Sequence, residues 1–232
     1  MIDADEFKKA LLREARRDGS YETAIKPEEI RSREARGESF YPLELASLVH
    51  EESSILAKQL RTEAIARGDN IVVDTVLSNP RGALALGREL SDAGYQISVV
   101  DVEVPYEVAE ERIRGRWREA AERAAAGGDE LGGRWVPSEY AREVFDGPNG
   151  ESRPMASARQ LAQDCDAVVR YRVFWTAAQA AAQQGKAPSK LIVDQSRPAP
   201  GGDLVETNLS GVQRTAEASR GVPRRRPPSV ER

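Results

Sequence analysis

The chain has 232 residues, 40% of them apolar, which is enough for one domain with a sizeable core. Its 34 Lys and Arg against 38 Asp and Glu leave a net charge of −4, which argues against bulk binding to nucleic acid or to a membrane surface. The single cysteine, Cys165, and the single histidine, His50, argue against a disulfide framework, a zinc site and a Ser-His-Asp hydrolase. No apolar run reaches the roughly 18 residues that span a bilayer, and the acidic start does not resemble a signal peptide. We therefore expect a cytoplasmic protein with no nucleic-acid or membrane partner and no metal site of its own.

Strand-like and helix-like segments alternate along the chain. Runs rich in β-branched residues predict the strands of a parallel sheet that is covered on both faces. Apolar residues at helical spacing, in series that run into glycines, predict long helices. The pattern indicates an α/β fold with a parallel sheet flanked by helices. The predicted strands are residues 70–76, 96–104, 167–173 and 190–194, and the predicted helices are residues 42–67, 81–93 and 106–126.

The composition divides the chain into a domain, residues 1–195, and a tail, residues 196–232. The tail is rich in Pro and Arg, and its seven Arg against four acidic residues give it a charge of +3. The body therefore carries −4 − 3 = −7. Because the tail has few large apolar residues, it buries too little surface to offset the entropy of ordering, and we predict that it is disordered. Its RRR run could contact an acidic partner, but a solvated tail is the simpler interpretation.

Acidic residues stand where two strands are expected to end, which is where ligands bind in open α/β sheets. Asp3 and Asp5 follow the apolar start of the chain, and Asp74 with Thr75 ends the 70–76 strand. A carboxylate at such a point can take a proton from a substrate hydroxyl. Asp5 could equally cap the helix expected from residue 6, since Asp is a preferred cap. We expect Asp3 to be structural.

Arginines are concentrated in the 106–126 helix and in the loop that follows it. Arg116 lies on one face of the helix and Arg118 on another. Most arginines on such a charged helix face solvent and pair with neighbouring Glu residues. The Gly-rich loop then places Arg134 between Gly133 and a large aromatic residue. A mobile lid that brings an arginine over a transferring phosphate would have this composition, so the two segments together favour phosphoryl transfer.

Several short segments, in their order along the chain, resemble the zeta toxin family of P-loop kinases. They are IDADEFK at 2–8, HEESS at 50–54, GDNIVVDT at 68–75, and the arginine segments RIRGRWRE and GGRWVP at 112–119 and 132–137. The similarity covers residues 1 to about 175. Each motif is short, and it is their joint order and spacing that make the resemblance specific. The family comprises the toxins of bacterial toxin–antitoxin pairs that phosphorylate UDP-N-acetylglucosamine.

The resemblance implies a kinase domain that transfers the γ-phosphate of ATP, with Mg²⁺, to the 3′-hydroxyl of UDP-N-acetylglucosamine or a related nucleotide sugar. It implies that Asp5 accepts the proton of that hydroxyl and that Arg116 and Arg134 hold the ATP phosphates, where charge spreads during transfer. It also implies an antitoxin protein as a partner. The substrate contacts that it implies, on the HEESS helix and at the second strand end, are Glu52, Ser53, Asp74 and Thr75. By its sequence context alone, His50 is expected to pack against the core or to cap the helix.

The sequence departs from the family pattern at the phosphate-binding loop. The motif GxxxxGK[ST], whose backbone and lysine hold phosphates, occurs nowhere in the 232 residues. We therefore expect the chain by itself to bind ATP poorly or not at all and to be inactive. Because the family's loop precedes the IDADEFK segment, we expect the domain to be truncated at its amino end, with the missing strand and loop encoded directly upstream of Met1.

Two other functions stay open at this stage. The chain could be a catalytically dead remnant that only binds an antitoxin-like partner, which the absent phosphate loop favours. It could also be a small-molecule kinase on the same scaffold, such as an antibiotic phosphotransferase. The residues of the substrate helix would discriminate the second alternative through a screen of metabolites.

Overall fold

The computed structural model describes residues 1–128, 131–178 and 189–207. Helices and strands alternate through these residues, as the sequence predicts. The α-helices are α1 (Ala4–Asp18), α2 (Glu28–Glu34), α3 (His50–Ala66), α4 (Pro80–Asp92), α5 (Tyr106–Ala125), α6 (Ser138–Phe145) and α7 (Arg153–Asp164). The strands are β1 (Ile2–Asp3), β2 (Val73–Asp74), β3 (Ile97–Glu103), β4 (Val168–Trp175), β5 (Lys190–Ser196) and β6 (Val205–Glu206). A π-helix, Tyr21–Ile25, and two 3-10 helices, Pro42–Val49 and Pro148–Gly150, complete the described elements.

The described strands form two sheets. β1 and β2 pair in parallel, with Ile2 opposite Val73 and Asp3 opposite Asp74. The other sheet has the order β3-β4-β5-β6, in which β3 and β4 are parallel while β4–β5 and β5–β6 are antiparallel. The predicted α/β class is confirmed, and parallel pairing is present in both sheets.

Strand β5 runs against β4, which differs from the parallel pairing that its apolar run predicts. Along β5, Lys190 is exposed and Ile192 is 46% exposed, whereas Asp194 is buried and accepts hydrogen bonds from Arg170 at 2.8 and 2.9 Å. A strand with one solvent-exposed face is typical of antiparallel pairing, because parallel strands are normally covered on both faces.

The ordered domain continues past the predicted boundary at residue 195. Val205 pairs with Ser196, and the buried side chain of Arg197 donates to the carbonyls of Val168 at 3.0 Å and Ala162 at 2.8 Å. The prediction that disorder begins at residue 196 is therefore wrong for residues 196–207, because the strand ladder and this arginine tie them to the sheet. Residues 208–232, including the RRR run, lie outside the described residues.

The predicted helices at 81–93 and 106–126 correspond to α4 and α5, and a glycine with positive φ follows each of them, +80° at Gly94 and +81° at Gly127. The predicted helix at 42–67 is divided. It starts as the 3-10 helix Pro42–Val49, which bends at Leu45 (φ −100°, ψ 17°), and becomes α-helical only from His50. The predicted strand at 70–76 shortens to two paired residues because its neighbour β1 is equally short.

Two hydrophobic clusters hold these elements together. One lies between the β3–β4 pair and the helices α4 and α7, and includes Leu161 and Val168. The other joins α1, the 3-10 helix and the loop after α5 through Leu12, Leu43 and Leu131. This second cluster fixes the start of α1 relative to that loop. Among the described residues, no helix is both long enough and apolar enough to cross a membrane.

Candidate active site

Asp5 lies in the first turn of α1, directly after the carboxyl end of β1. The helix begins at Ala4 because the Asp3 side chain accepts a hydrogen bond from the Asp5 backbone N–H at 2.8 Å. Asp3 therefore has the structural role that the sequence predicts. The alternative that Asp5 is the cap is wrong, and its carboxylate is left for other partners.

Two cations contact the Asp5 carboxylate. The Lys8 ammonium lies 3.0 Å from Oδ1, and the Arg134 guanidinium forms an ion pair with Oδ2. Arg134 is 129 residues away along the chain, so the fold brings together two residues that the sequence assigns to one site. The side chains of Asp5 and Arg134 are 37% and 43% exposed, and solvent or a ligand can reach both of them.

The loop that carries Arg134 is packed against the protein. Leu131 is buried in the second cluster, and its carbonyl accepts the Leu43 N–H at 2.9 Å. Gly132 lies against the Tyr41 ring, and Gly133 lies so close to the Trp117 backbone that a Cβ there would be 2.7 Å from Trp117 Cα. These contacts seat residues 131–133 on α5 and on the 3-10 helix, and the mobility expected of this loop stays a prediction.

A pair of tryptophans continues this contact on the far side of Arg134. The rings of Trp117 and Trp135 meet edge to face, with centroids 5.2 Å apart. Glu44 fixes the first of them, since its carboxylate accepts the Trp117 Nε1–H and the Tyr41 N–H, both at 2.8 Å. Arg134 thus extends from a short segment that is held on both sides.

The family model described as Zeta toxin matches residues 2–180 of the chain. The chain belongs to the zeta toxin family. Comparisons with curated proteins and with solved structures gave no match. The family consists of P-loop-kinase-like phosphotransferases of toxin–antitoxin systems, which use a nucleotide and a metal ion, and the α/β architecture agrees with it. The family predicted from the sequence motifs is confirmed.

Arg116, the second predicted phosphate contact of this zeta toxin domain, lies on the exposed surface of α5. Its Nε donates to the Arg112 carbonyl at 3.3 Å, and it forms no ion pair within the part of the chain that the structure describes. Because Trp117 touches the arginine loop, Arg116 is anchored next to the segment that carries Arg134. Its role toward phosphate stays a prediction.

Asp74 and Thr75 stand at the carboxyl end of β2, and both are exposed. The β1–β2 register sets Asp74 beside Asp3, two residues before Asp5. The Thr75 hydroxyl accepts the Leu77 N–H at 3.4 Å, and Leu77 itself has a φ of +54°. Both predicted substrate contacts are therefore at the same edge of the small sheet as Asp5.

The HEESS residues divide between surface and core. Glu52 is exposed, as is His50, so the expectation that His50 packs or caps is wrong for its side chain. Ser53 is fully buried and its hydroxyl donates to the His50 carbonyl at 2.8 Å. Ser53 is thus buried and hydrogen-bonded within the helix, whereas Glu52 is open to solvent, and the substrate role of each stays a prediction.

Sequence reasoning missed three residues that shape the site: Lys8, Glu44 and Trp117. Lys8 occupies a core position of α1, in helical register with Leu12 and Ala15, which is an unusual place for a charge. The tripeptide Gly-Arg-Trp occurs twice, at 115–117 and 133–135, and the two copies meet through their tryptophans. That repeated tripeptide was the available indication that the two arginine segments pack together.

The described residues fit ATP and Mg²⁺ only in part. Arg134 and Arg116 are exposed and have the charge that phosphate oxygens require. The sequence has no phosphate-binding loop, however, and within the described ranges no group of three or more His, Cys, Asp or Glu side chains is placed to hold a metal ion. We therefore assign no ATP or metal site to these residues.

Proposed function

We propose that this zeta toxin domain binds UDP-N-acetylglucosamine or a related nucleotide sugar and presents the 3′-hydroxyl of the sugar to Asp5 for phosphorylation by ATP. The observation that carries the proposal is the Asp5 carboxylate itself. It lies at the carboxyl end of a parallel strand, is partly exposed, and contacts an arginine that suits a phosphate. Carboxylate and guanidinium side by side are what transfer to a hydroxyl needs.

In this proposal, Asp5 accepts the hydroxyl proton as the oxygen attacks the γ-phosphorus of ATP, and the bond from that phosphorus to the bridging oxygen breaks to release ADP. Arg134 exchanges its ion pair with Asp5 for the phosphoryl oxygens and offsets the charge that develops on them. Arg116 supplies a second guanidinium from the neighbouring helix. Asp74, Thr75 and Glu52 are proposed to contact the nucleotide sugar, because they are exposed, and the first two share the sheet edge with Asp5.

The absence of GxxxxGK[ST] from the 232 residues leads to a second part of the proposal. The chain by itself binds the nucleotide sugar but does not turn over ATP, since it has no backbone cradle or lysine for the phosphates. The same observation favours a second candidate function, an inactive module that only binds an antitoxin partner. The two candidates differ in whether the acceptor site binds its ligand.

Calorimetric titration of the purified chain tests the acceptor site. UDP-N-acetylglucosamine should bind more tightly than UDP, because only the former carries the N-acetylglucosamine 3′-hydroxyl that Asp5 is proposed to accept. Asp5→Asn should weaken the binding of UDP-N-acetylglucosamine about tenfold, the usual scale for a hydrogen bond to a charged group. It should leave the affinity for UDP unchanged. Glu6→Gln is the matched control, since Glu6 is an exposed neighbour on α1 that pairs with Lys9 and should have no effect.

Four results would count against parts of the proposal. Equal affinity for the two ligands, or no effect of Asp5→Asn on their ratio, would reject the role of Asp5. Binding of neither ligand would favour the antitoxin-binding module. Release of ADP from ATP above the rate of the Asp5→Asn chain would show that the isolated chain is an active kinase.

A further inference from the structure

Lys8 is a charged residue at a core position. Together with Leu12 and Ala15 it forms the buried face of α1, and its side chain is only 7% exposed. Removing an ammonium group from water is costly unless a partner compensates for it. The partner of Lys8 therefore indicates what its charge is for.

That partner is Asp5. Within the described residues, the Lys8 ammonium forms one ion pair, with Asp5 Oδ1 at 3.0 Å. The other buried lysine, Lys26, is different, because it is held by Glu22 and Glu34 at 2.8 and 2.9 Å. The charge of Lys26 is thus compensated by two carboxylates outside the candidate site. The charge of Lys8 is compensated by Asp5 alone, the proposed base.

The two oxygens of Asp5 are held by cations of unequal accessibility. Arg134 holds Oδ2 from the exposed side, where a phosphate can compete for its guanidinium. Lys8 holds Oδ1 from inside the protein, where no ligand from solvent can reach it. When Arg134 exchanges to a phosphate, Oδ1 therefore stays occupied and Oδ2 becomes open.

We propose that Lys8 is a positioning residue that holds Asp5 Oδ1 and thereby presents Oδ2 to the sugar hydroxyl. The inference rests on the proposed function of Asp5 as the group that receives this hydroxyl. Lys8 touches neither the sugar nor the phosphate, and it acts only by fixing the rotamer and the charge of its neighbour.

Lys8→Met tests this inference, because methionine keeps the length and apolar stem of the side chain but removes the ammonium. The variant should weaken the binding of UDP-N-acetylglucosamine by about fivefold or more, a part of the tenfold expected for losing the Asp5 charge. The affinity for UDP should stay unchanged. Lys9→Met is the matched control, since Lys9 forms the same i, i+3 pair with Glu6 at 2.6 Å on the exposed face of α1. It should leave both affinities unchanged. Lys8→Arg keeps the charge with a broader head. It should change the ratio of the two dissociation constants, for UDP and for UDP-N-acetylglucosamine, less than Lys8→Met does.

A double-mutant cycle separates positioning from mere support of the fold. In the Asp5→Asn background, Lys8→Met should have no further effect on the ratio of the two dissociation constants. Equally weakened binding of both ligands in Lys8→Met, or an additive effect in the double variant, would overturn the inference.

If Asp5→Asn changes the ratio and neither Lys8 variant does, the inference fails and the proposed function stands. If Asp5→Asn leaves the ratio unchanged, the proposed function fails and the role of Lys8 with it. Should Lys8→Met not fold, Lys8→Gln, which removes the charge but keeps a polar head, decides: a ratio unlike that of the unaltered chain, with UDP unchanged, supports positioning, and an unaltered ratio rejects it.

Discussion

Asp101 and Glu103 form a buried acidic pair on the inner face of β3, apart from the candidate site. Glu103 accepts the Ser152 hydroxyl at 2.6 Å, and Ser152 in turn caps α7 by accepting the Met155 N–H at 3.0 Å. Burial, followed by the charge of Glu103, raises the pKa of Asp101 to about 7. Burial also raises the pKa of Glu103. The folded protein therefore holds a proton here that the unfolded chain releases in mild acid.

This proton makes stability fall as the pH rises. Because the pKa of Asp101 is raised from 3.8 to about 7 on folding, its favourable contribution is complete below pH 3.8 and is lost as the pH approaches 7. Asp101→Asn keeps the shape and stays neutral at every pH. The free energy of unfolding of the unaltered chain, relative to this variant, should decrease by on the order of 1 kcal/mol per pH unit across that range. Urea unfolding at pH 5 and pH 8 measures the difference, and a difference that is constant with pH would contradict the shift.

At the scale of single residues, the sequence placed some residues at one site but did not predict which of them are buried. Asp5 and Arg134 were assigned from short motifs, and the fold brings them into contact. The burial of Ser53 was not predicted, because one helical position decides between core and solvent, and the motif does not say which side of α3 is covered. Lys8 was missed because a lysine usually faces water, and only the contacts of α1 show that this one is buried.

At the scale of elements, the arginine loop depends on the absence of side chains. Gly133 packs against the Trp117 backbone, and a Cβ there would lie 2.9 Å from the Trp117 carbonyl carbon, so the neighbour that must yield is main chain. Gly115, in the middle of α5, has nothing within 4 Å of such an atom. Gly133 is therefore needed for the close packing of the loop against α5. Gly115 has no such contact and only lowers the stability of α5.

Alanine should therefore have opposite effects at these two glycines. Gly133→Ala should lower the free energy of unfolding by about 1–3 kcal/mol, as overpacking does, and should displace Arg134. Gly115→Ala should raise it by about 0.5–1 kcal/mol because alanine is the better helix former. Chemical denaturation of the two variants measures both changes, and Trp fluorescence reports whether the Trp117–Trp135 contact survives. Equal effects at both positions would argue against the packed loop.

Helices α4 and α5 were predictable because a long series of apolar residues at helical spacing that ends in a glycine is compatible with few structures other than a helix. The pairing of the strands was not, since direction depends on what covers each face: β5 leaves Lys190 and Ile192 exposed and pairs antiparallel. The 3-10 helix packs through Leu43 against Leu131, a contact across 88 residues that no local pattern contains.

At the scale of the whole molecule, β3 is an edge strand of its sheet within the described residues and carries two exposed valines. Val102 is 66% exposed and Val100 is 49% exposed. An apolar edge strand can pair with another chain, and a single lysine is a common protection against this.

Val102→Lys should therefore reduce self-association of the chain and change its stability by less than about 0.5 kcal/mol. Light scattering of concentrated samples gives the association, and urea unfolding gives the stability. Ile55→Lys is the control, because Ile55 is 55% exposed but lies on α3, where no backbone edge is open. If both lysines suppress association equally, general apolar surface is responsible and the edge strand is not.

The distance along the chain between Asp5 and Arg134 has a consequence for the making of the protein. These two residues are separated by 129 positions, and the segment that holds the second is fastened through Leu131 to the first third of the chain. During synthesis, which adds about 5–20 residues per second, the first 130 residues emerge with Asp5 and Lys8 but without Arg134. The carboxylate and guanidinium therefore meet only late in translation. A nascent chain interrupted before residue 134 therefore carries the acid of the site without its arginine.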